Sequence, residues 1–291
     1  MWIRILAFLV LAIVLGFLSL VVYIRFELRA RHARLEPAAT GLPVEAVTIP
    51  SKSGARLAGW FLPGAGRGAV LLLHGIYANR LVQAERMRVL RDAGYSTLAI
   101  DFQAHGESTG DLITLGGRES LDARSALAWL RSRLPGEPVA VLGISMGGAA
   151  ALIGAPMEAD ALIIESAPSG MGLAISNRLG LLFGPPGRAL TPIVLAAIRI
   201  SAGVEVEGLR PIDGIASAPA PIFVMTGAED KKTTVEESRA MFERAKSPKF
   251  YWQVPGAWHV DLAAVGGAEY RERLLAFLSA SLRGAGRESF R

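Results

Sequence analysis

The segment VAVLGISMGGAAALIGA (139–155) places one serine, Ser145, between two glycines directly after a run of branched apolar residues. VAVLGI predicts a short buried strand and AAALIGA predicts a helix, so Ser145 lies at their junction. Glycine has no Cβ, which lets the backbone turn sharply there and leave the serine hydroxyl exposed. A glycine-rich turn without any further role would have the same composition. The strand–turn–helix context nevertheless indicates a nucleophilic serine.

Extended and helical segments alternate on both sides of this junction. VEAVTI (44–49) and ARLAGWFL (55–62) predict an antiparallel hairpin. Further strands are predicted at 69–75, 95–102, 139–145, 161–167, 222–227 and 250–254, and helices at 79–93, 116–134, 146–156, 234–246 and 269–282. Apolar strands that are separated by helices indicate an α/β fold, with a mostly parallel sheet and helices on both of its faces.

Residues 168–210 interrupt this alternation. The segment is apolar and punctuated by glycine and proline, as in LGLLFGPPGRALTPIVLAAIRI (179–200). We interpret it as a helical lid inserted over the carboxyl end of the sheet, where open α/β sheets bind ligands. Its leucines, Phe183 and residues 193–200 are candidates to line an acyl pocket or to contact a bilayer. Ordinary packing of the lid onto the sheet is the alternative.

The N-terminal segment from Ile5 to Ile24 contains 20 residues without a charge. A helix of that length matches the hydrocarbon core of a bilayer, and Arg4 and Arg25 bracket it. A cleaved signal peptide is the alternative, although its apolar region would be shorter. We therefore expect a transmembrane anchor and basic juxtamembrane segment over residues 1–36, followed by one catalytic domain over residues 37–291.

The arginines around this segment bear on its orientation. Four arginines follow the segment, namely Arg25, Arg29, Arg31 and Arg34, and one, Arg4, precedes it. The positive-inside rule then places the catalytic domain in the cytoplasm. Entry of the segment as an uncleaved signal would place the domain on the other side.

Composition excludes several classes of function. The chain has no cysteine, so disulfides, thiolate metal sites and a cysteine nucleophile are ruled out. Of the net charge of +5, residues 1–36 carry +3, and the remaining charge is too thinly spread for a nucleic-acid interface. The sequence contains no metal-binding or phosphate-binding motif, and we expect no cofactor and no metal.

A serine hydroxyl is a weak nucleophile and needs a base. The chain offers four histidines: His32, His74, His105 and His259. His259 lies in PGAWHVDL, directly after the last predicted strand, and is therefore expected at the same sheet edge as Ser145. His32 lies beside the apolar N-terminal segment, and His74 and His105 are expected to brace loops through hydrogen bonds.

The base in turn needs an acid that holds its tautomer. Four carboxylates are candidates: Glu229 and Asp230 in TGAEDKKT, and more weakly Asp101 and Asp261. With either residue of the first pair, the chain order is serine, acid, histidine, which is the order typical of an α/β sheet with a nucleophilic turn.

At these positions the sequence resembles the α/β-hydrolase family, over nearly all of residues 44–282. LGISMGG is similar to the family's nucleophile turn and GAWHVDL to its histidine loop. TGAEDKKTTVEES resembles the family's acid loop and selects Asp230 over Glu229, with Thr233 and Thr234 in place of the usual Val-Pro.

The same resemblance implies the oxyanion hole. LLLHGIYANR is similar to the family segment in which the residue after His-Gly donates an amide, here Ile76, and the nucleophile turn implies the amide of Met146. DFQAHGESTG resembles the D-x-R-G-H-G-x-S loop but carries Gln103 and Ala104 at the Arg and Gly positions. Because that arginine is missing, the bracing usual for this loop is not assured. The single apolar N-terminal segment further resembles the membrane-anchored Bem46-like and ABHD13/17-like group.

The expected function is that of a serine hydrolase acting on a carboxylic ester or thioester, with Ser145, Asp230 and His259 as its triad. The expected partners are a membrane and a small-molecule or lipid ester substrate. A peptidase or an acyltransferase would use the same triad, and a catalytically silent, membrane-tethered binding scaffold would keep the same fold.

Overall fold

The computed structural model describes residues 1–154, 156–218 and 221–282 of the 291-residue chain. Its strands are β1 (Arg31–His32), β2 (Glu45–Pro50), β3 (Arg56–Leu62), β4 (Ala69–Leu73), β5 (Ser96–Ile100), β6 (His105–Gly106), β7 (Val139–Ile144), β8 (Ala161–Glu165), β9 (Ile222–Gly227) and β10 (Lys249–Val254). Its helices are α1 (Trp2–Glu27), α2 (Ala84–Asp92), α3 (Gly117–Arg133), α4 (Met146–Leu152), α5 (Met171–Phe183), α6 (Thr191–Ala202), α7 (Pro211–Ile215), α8 (Val235–Arg244) and α9 (Leu262–Ser281). Residues 283–291, the end of the predicted catalytic domain, lie outside the described residues.

In the described part of the chain, eight strands form one sheet in the order β10-β9-β8-β7-β4-β5-β3-β2. β3 is antiparallel to both β2 and β5, and the other neighbouring strands run parallel. This confirms the predicted mostly parallel sheet with an antiparallel hairpin at one edge. The carboxyl ends of the parallel strands therefore meet along one edge of the molecule.

Helices cover both faces of the sheet, as predicted. Side chains along a strand alternate between its faces. In β4, Leu71 and Leu73 belong to the apolar cluster that contains the inner faces of α3 and α4. Val70 and Leu72 belong to a second cluster, which contains the inner faces of α2 and α9. Both faces of the central strands are thus removed from water, which explains their uninterrupted apolar sequences.

Helix boundaries differ most from the predictions at three places. α2 starts at Ala84 rather than at residue 79, after the 3₁₀ turn Arg80–Gln83. α4 ends at Leu152 rather than at residue 156, and Ala155 lies outside the described residues. α9 is broken at Gly267, whose φ of 53° and ψ of −123° are not helical, so the helix predicted from residue 269 corresponds to the part after this break, and the part that starts at Leu262 was not predicted. Gly266 and Gly267 concealed this start, because glycine is a poor helix former. Gly266 is required by packing, since a Cβ at this position would lie 2.9 Å from the Trp252 ring.

The predicted lid segment, residues 168–210, contains α5 and α6, joined by a 3₁₀ turn over Pro185–Leu190. The amide of Asn177 in α5 donates a hydrogen bond of 2.7 Å to Glu237 in α8, directly after β9. The backbone N–H of Met171 donates to the carbonyl of Leu209 at 3.0 Å. The first bond ties the lid to α8, which follows the carboxyl end of β9, and the second closes the lid segment on itself.

α1 has the length and composition of a membrane span or of a signal sequence. The chain that follows it contacts the sheet domain directly. β1 pairs in parallel with β6, and the N–H of Ile113 donates to the carbonyl of Leu28 at 2.8 Å. Residues 28–33 are therefore attached to the domain that contains the sheet. A domain boundary at residue 36 stays a prediction.

Candidate active site

Ser145 lies in a tight turn between β7 and α4, with φ 50° and ψ −114°. Its N–H donates a 2.7 Å hydrogen bond to the carbonyl of Glu165 at the end of β8. A Cβ on Gly143 would lie 2.6 Å from Cα of Gly148, and one on Gly147 would lie 2.5 Å from the carbonyl oxygen of Leu73. Larger residues are therefore excluded on both sides of the serine, and the turn presents its hydroxyl at the sheet edge.

The structure brings Ser145, His259 and Asp230 together. Oγ of Ser145 lies 3.1 Å from Nε2 of His259. Nδ1 of His259 lies 2.8 Å from Oδ2 of Asp230. With the proton on Nδ1, the ring donates to the carboxylate and keeps Nε2 free to accept the serine proton. The three predicted residues thus form one continuous chain of hydrogen bonds.

The Asp230 carboxylate is buried and fixed from its other side. Its Oδ1 accepts hydrogen bonds of 2.9 Å from the backbone N–H groups of Lys232 and Thr233. These two donors fix the orientation of the carboxylate, so that its Oδ2 faces the His259 ring. Glu229, the competing candidate, is exposed to solvent.

The two predicted oxyanion residues lie beside the serine. Met146 is the first residue of α4, so its backbone N–H has no carbonyl acceptor within the helix. Gly75 approaches Ser145 closely, since a Cβ at this glycine would lie 3.5 Å from the serine Cβ. Ile76 follows in the same turn. The turn that contains Ile76 therefore lies against Ser145, and Met146 follows the serine directly in the chain.

The remaining histidines of the sheet domain brace loops. Nδ1 of His74 lies 2.7 Å from the carbonyl of Gly75, and its Nε2 accepts from the N–H of Phe102 at 3.1 Å. Burial, with the charge of His105, lowers the pKa of His74 to about 3. His105 accepts at Nε2 from the N–H of Tyr77, and burial lowers its pKa too. His74 is thus neutral and holds the Ile76 turn in place.

The loop that lacks the usual arginine is braced by other residues. Arg80, from the 3₁₀ turn before α2, pairs with both Asp101 and Glu107. Gln103 donates to Glu119 of α3 at 3.0 Å and to the carbonyl of Leu112. Arg80, from another position in the chain, therefore supplies the arginine that braces this loop. Asp101, a weaker acid candidate, is occupied by this pairing.

A buried ionic network near His259 was not predicted. Arg86 donates to Glu165 at 2.8 Å, to Asp261 at 2.6 Å and to the Tyr270 hydroxyl at 3.0 Å. Tyr270 also donates to Glu165. Although burial lowers it, the pKa of Arg86 is held well above its usual value by the charge of Glu165. Asp261, the last acid candidate, thus ties the histidine loop to β8.

The sequence carries two signals that would have indicated this network. Glu165 interrupts the apolar strand ALIIESA, and a carboxylate buried in a strand needs a partner. Arg86 shares the buried face of α2 with Met87 and Leu90. Its helical position therefore points the guanidinium inward.

The described ranges contain no group of three or more histidine or acidic side chains arranged to hold a metal ion.

Comparisons with known proteins extend over most of the chain. The model of the Alpha/beta hydrolase family matches residues 70–273. The uncharacterized protein Rv2307c of Mycobacterium tuberculosis is 28% identical over 238 residues, which cover 80% of this chain and 78% of that protein. Human protein ABHD12B is 24% identical over 217 residues, 69% of this chain and 58% of that protein. The second match is consistent with the Bem46-like and ABHD-like group.

Solved structures share the fold. The esterase Pf2001 of Pyrococcus furiosus superposes with a TM-score of 0.70 at 23% identity, covering 88% of this chain and 99% of that chain. The esterase EaEST of Exiguobacterium antarcticum gives a TM-score of 0.60 at 17% identity, covering 80% and 99%. The family match spans more than half of the chain and includes Ser145, Asp230 and His259. The chain therefore belongs to the α/β hydrolase family.

Proposed function

We propose that the protein is a serine hydrolase that cleaves a carboxylic ester or thioester through an acyl-enzyme on Ser145. The observation that carries this proposal is the hydrogen-bond chain from Ser145 through His259 to Asp230, with separations of 3.1 and 2.8 Å. Such a chain is what activates a serine hydroxyl. The names of the Pyrococcus and Exiguobacterium neighbours, both esterases, support ester substrates for this chain as well.

In the proposed mechanism, Oγ of Ser145 attacks the substrate carbonyl while Nε2 of His259 takes its proton. The N–H groups of Ile76 and Met146 stabilise the tetrahedral oxyanion, and one such donor typically contributes about 10²–10³-fold in rate. His259 then returns the proton to the leaving alcohol or thiol. Water then loses a proton to the same ring and attacks the acyl-enzyme, and His259 returns that proton to Oγ of Ser145 as the acid leaves. Asp230 holds the tautomer and balances the imidazolium charge throughout.

The test is labelling of the purified protein by a fluorophosphonate, which reacts with activated serines. We expect the wild type to be labelled and Ser145→Ala and His259→Ala to remain unlabelled. Ser217→Ala, at an exposed serine bonded to the carbonyl of Gly214, serves as the matched control and should be labelled like the wild type. Absence of labelling in a folded wild type would reject catalysis in favour of the silent scaffold.

Peptidase and acyltransferase activities use the same triad, so labelling does not separate them from ester hydrolysis. Product analysis with p-nitrophenyl esters, with and without an alcohol acceptor, distinguishes hydrolysis from transfer. We expect the free acid as the main product under both conditions.

The proposal includes a single-pass membrane anchor formed by α1 within residues 1–36, with the hydrolase domain over residues 37–291 in the cytoplasm. The arginine excess after the apolar segment supports this orientation. Protease added to intact cells should leave the domain undigested, whereas inverted vesicles should expose it. Digestion in intact cells would reverse the orientation.

A further inference from the structure

α1 does not stand apart from the lid, because one stripe of its surface packs against α6. The stripe contains Ile24 and the partly buried residues Phe17, Leu20 and Val21, at helical spacing. Across the contact lie Leu195 and Ile198 of α6, in the same apolar cluster. Nη1 of Arg25 donates to the carbonyl of Ser201 at 3.0 Å. The lid helix is therefore attached along the last turns of α1.

This contact sets the depth of the lid if α1 spans a bilayer. The uncharged segment of α1 ends at Ile24, and Arg25 marks the water interface. From Phe17 to Ile24 a helix advances about 10 Å at 1.5 Å per residue. A helix that packs against this stretch lies at the same depth. α6 is accordingly placed within one leaflet rather than above it.

The outward surface of the lid has the composition expected at that depth. Exposed apolar side chains follow one another from the end of α5 through α6: Leu181, Leu182, Phe183, Leu190, Ile193 and Ile200, with Leu182 72% and Phe183 62% exposed. Residues 171–202 contain no aspartate, glutamate or lysine, and of their three arginines Arg188 and Arg199 are exposed, whereas Arg178 is mostly buried near Asp230 and Tyr77. Apolar surface with arginines and without acids suits the boundary between acyl chains and anionic headgroups.

The lid and the helix after it have the geometry of a bent membrane segment. Pro185–Ala202 and Val206–Ile215 are long and apolar enough for a span only together, and they meet at a bend of 103°, as in a broken span or a re-entrant loop. α6 has 12 residues, a length typical of interfacial or re-entrant segments. Its shape fits shallow insertion into the leaflet that α1 crosses.

The same apolar cluster reaches the candidate active site. Ile24 of α1, Met171 of α5, Leu195 of α6 and Met146 beside Ser145 are all members, and Ile76 packs against it. Tyr77, which follows Ile76, lies 5.0 Å from the guanidinium carbon of Arg31 in the juxtamembrane segment. The residues on either side of the Ser145 hydroxyl, Met146 and Ile76, therefore lie in the same packed cluster as the membrane-facing helices.

From these contacts we infer that the α5–α6 lid is seated in the leaflet crossed by the C-terminal half of α1, and that the site takes a lipid ester directly from that leaflet. The inference rests on the proposed serine hydrolase and on its membrane anchor. It names the substrate class as an ester whose acyl chain lies in the bilayer, where its carbonyl is already close to the depth of Ser145.

The position of the lid is tested by single cysteines, which are unique because the chain has none. The variants Phe183→Cys, Ile193→Cys and Ile200→Cys carry an environment-sensitive fluorophore in vesicles of phosphatidylcholine and phosphatidylglycerol. We expect quenching by lipids with a nitroxide near the top of the acyl chain and protection from aqueous iodide. Phe250→Cys is the matched control, at a half-exposed aromatic position near the start of β10, whereas the lid covers the carboxyl ends of the strands. Its fluorophore should be quenched by iodide and not by the nitroxide lipid.

Ile13→Cys, in the middle of α1, separates failure of the lid from failure of the anchor. Quenching of Ile13 by lipid with iodide quenching at all three lid positions would overturn the inference and leave the anchor intact. Iodide quenching at Ile13 as well would reject the anchor, and the inference with it. Fluorophosphonate labelling of the same samples reports on Ser145 independently of either result.

Lipid supply from the leaflet is tested by the ratio of turnover on a long-chain ester in vesicles to turnover on a short soluble ester. For Phe183→Glu we expect this ratio to fall about tenfold, which corresponds to about 1.4 kcal/mol of lost insertion free energy. Phe250→Glu should keep the wild-type ratio. An unchanged ratio in Phe183→Glu would overturn supply from the leaflet.

Discussion

At Ser145 the backbone has a positive φ, which most residues other than glycine adopt only at a cost in free energy. The close approach of Gly147 to the carbonyl of Leu73 and of Gly143 to Gly148 permits this geometry. The conformation is therefore imposed by β4, β7 and α4 together. Such strain, held at the point where the hydroxyl meets His259, is typical of a functional position.

Gly147→Ala tests this packing. The added Cβ would lie 2.5 Å from a backbone oxygen that cannot move without disturbing β4, so we expect a loss of about 1–3 kcal/mol in the free energy of unfolding. Gly208→Ala is the control, because open space surrounds that exposed glycine, and its effect should stay within about 0.5 kcal/mol. Denaturant unfolding measures both, and equal effects would contradict the account.

His74 predicts a dependence of stability on pH. Its pKa is about 3 in the folded protein and 6.5 ordinarily, so below pH 6.5 the unfolded chain binds more protons and stability falls. The loss from pH 6.5 to 5 amounts to about 2 kcal/mol. Asp122 acts oppositely, because burial raises its pKa to about 6 and lower pH relieves that penalty.

A variant isolates the histidine contribution from that of Asp122. Glutamine can both donate to the Gly75 carbonyl and accept from the Phe102 N–H without titrating. We expect the stability advantage of the wild type over His74→Gln to shrink by about 2 kcal/mol between pH 6.5 and pH 5. Denaturation at several pH values checks this, and a constant difference would show that His74 is not held neutral.

At the scale of elements, the network around Arg86 joins α2, β8 and α9 behind the candidate active site. Asp261, two residues after His259, is the N-cap of α9. Its side chain accepts a hydrogen bond of 3.1 Å from the N–H of Ala263. Through Arg86 it is tied to Glu165, whose carbonyl accepts from the Ser145 N–H. The nucleophile turn and the histidine loop are therefore positioned by one buried guanidinium.

Asp261→Ala should reveal this positioning role. We expect kcat on a soluble ester to fall about tenfold to a hundredfold, because a small displacement of His259 from Ser145 is costly. Stability should fall by only about 1–2 kcal/mol, the typical effect of losing an N-cap. Glu269→Ala, in an exposed ion pair on the same helix, is the control for both measurements. An unchanged kcat with reduced stability would assign Asp261 a structural role only.

At the scale of the whole molecule, α1 and the lid present one apolar surface, while the strand-pairing of residues 28–33 fastens α1 to the sheet domain. The domain is thus held close to the position where α1 ends. With a flexible tether the candidate active site could take any orientation relative to α1. The pairing of residues 28–33 with the sheet domain fixes a single orientation.

The span itself is tested by Leu11→Arg/Val14→Arg, at two exposed positions in the middle of α1. Each arginine costs about 2.5–3.5 kcal/mol at the centre of a span. We therefore expect the variant to move from the carbonate-resistant membrane fraction to the extract, whereas Leu11→Ala/Val14→Ala stays in the membrane. Intact mass is measured on both fractions. Wild-type protein recovered without α1 would identify α1 as a cleaved signal sequence.

The eight strands of the main sheet, the sheet type and the nucleophile turn could be predicted from the sequence, and so could the residues that meet at Ser145, whereas the short pair β1 and β6 was not predicted. Apolar runs such as AVLLL and glycines such as Gly143 determine the conformation of their immediate neighbours, so a short stretch of sequence is enough to predict their effect. Parallel strands then bring their carboxyl ends to one edge. Residues as distant as Ser145 and His259 therefore meet without any knowledge of side-chain packing.

The start of α9, the partners of Arg80 and Arg86 and the contact between α1 and α6 were decided only by the tertiary structure. Gly267 does break α9, but the helical part before it became evident only with the tertiary structure, in which the Trp252 ring lies beside Gly266. The ion-pair partners of a buried arginine depend on which carboxylates the fold places near it. For Arg86 these are Glu165 and Asp261, which are distant in the chain. By itself, the sequence determined the local elements and the chemistry at their ends. The packing of side chains that are far apart in the chain determined how that chemistry is positioned and which surface it faces.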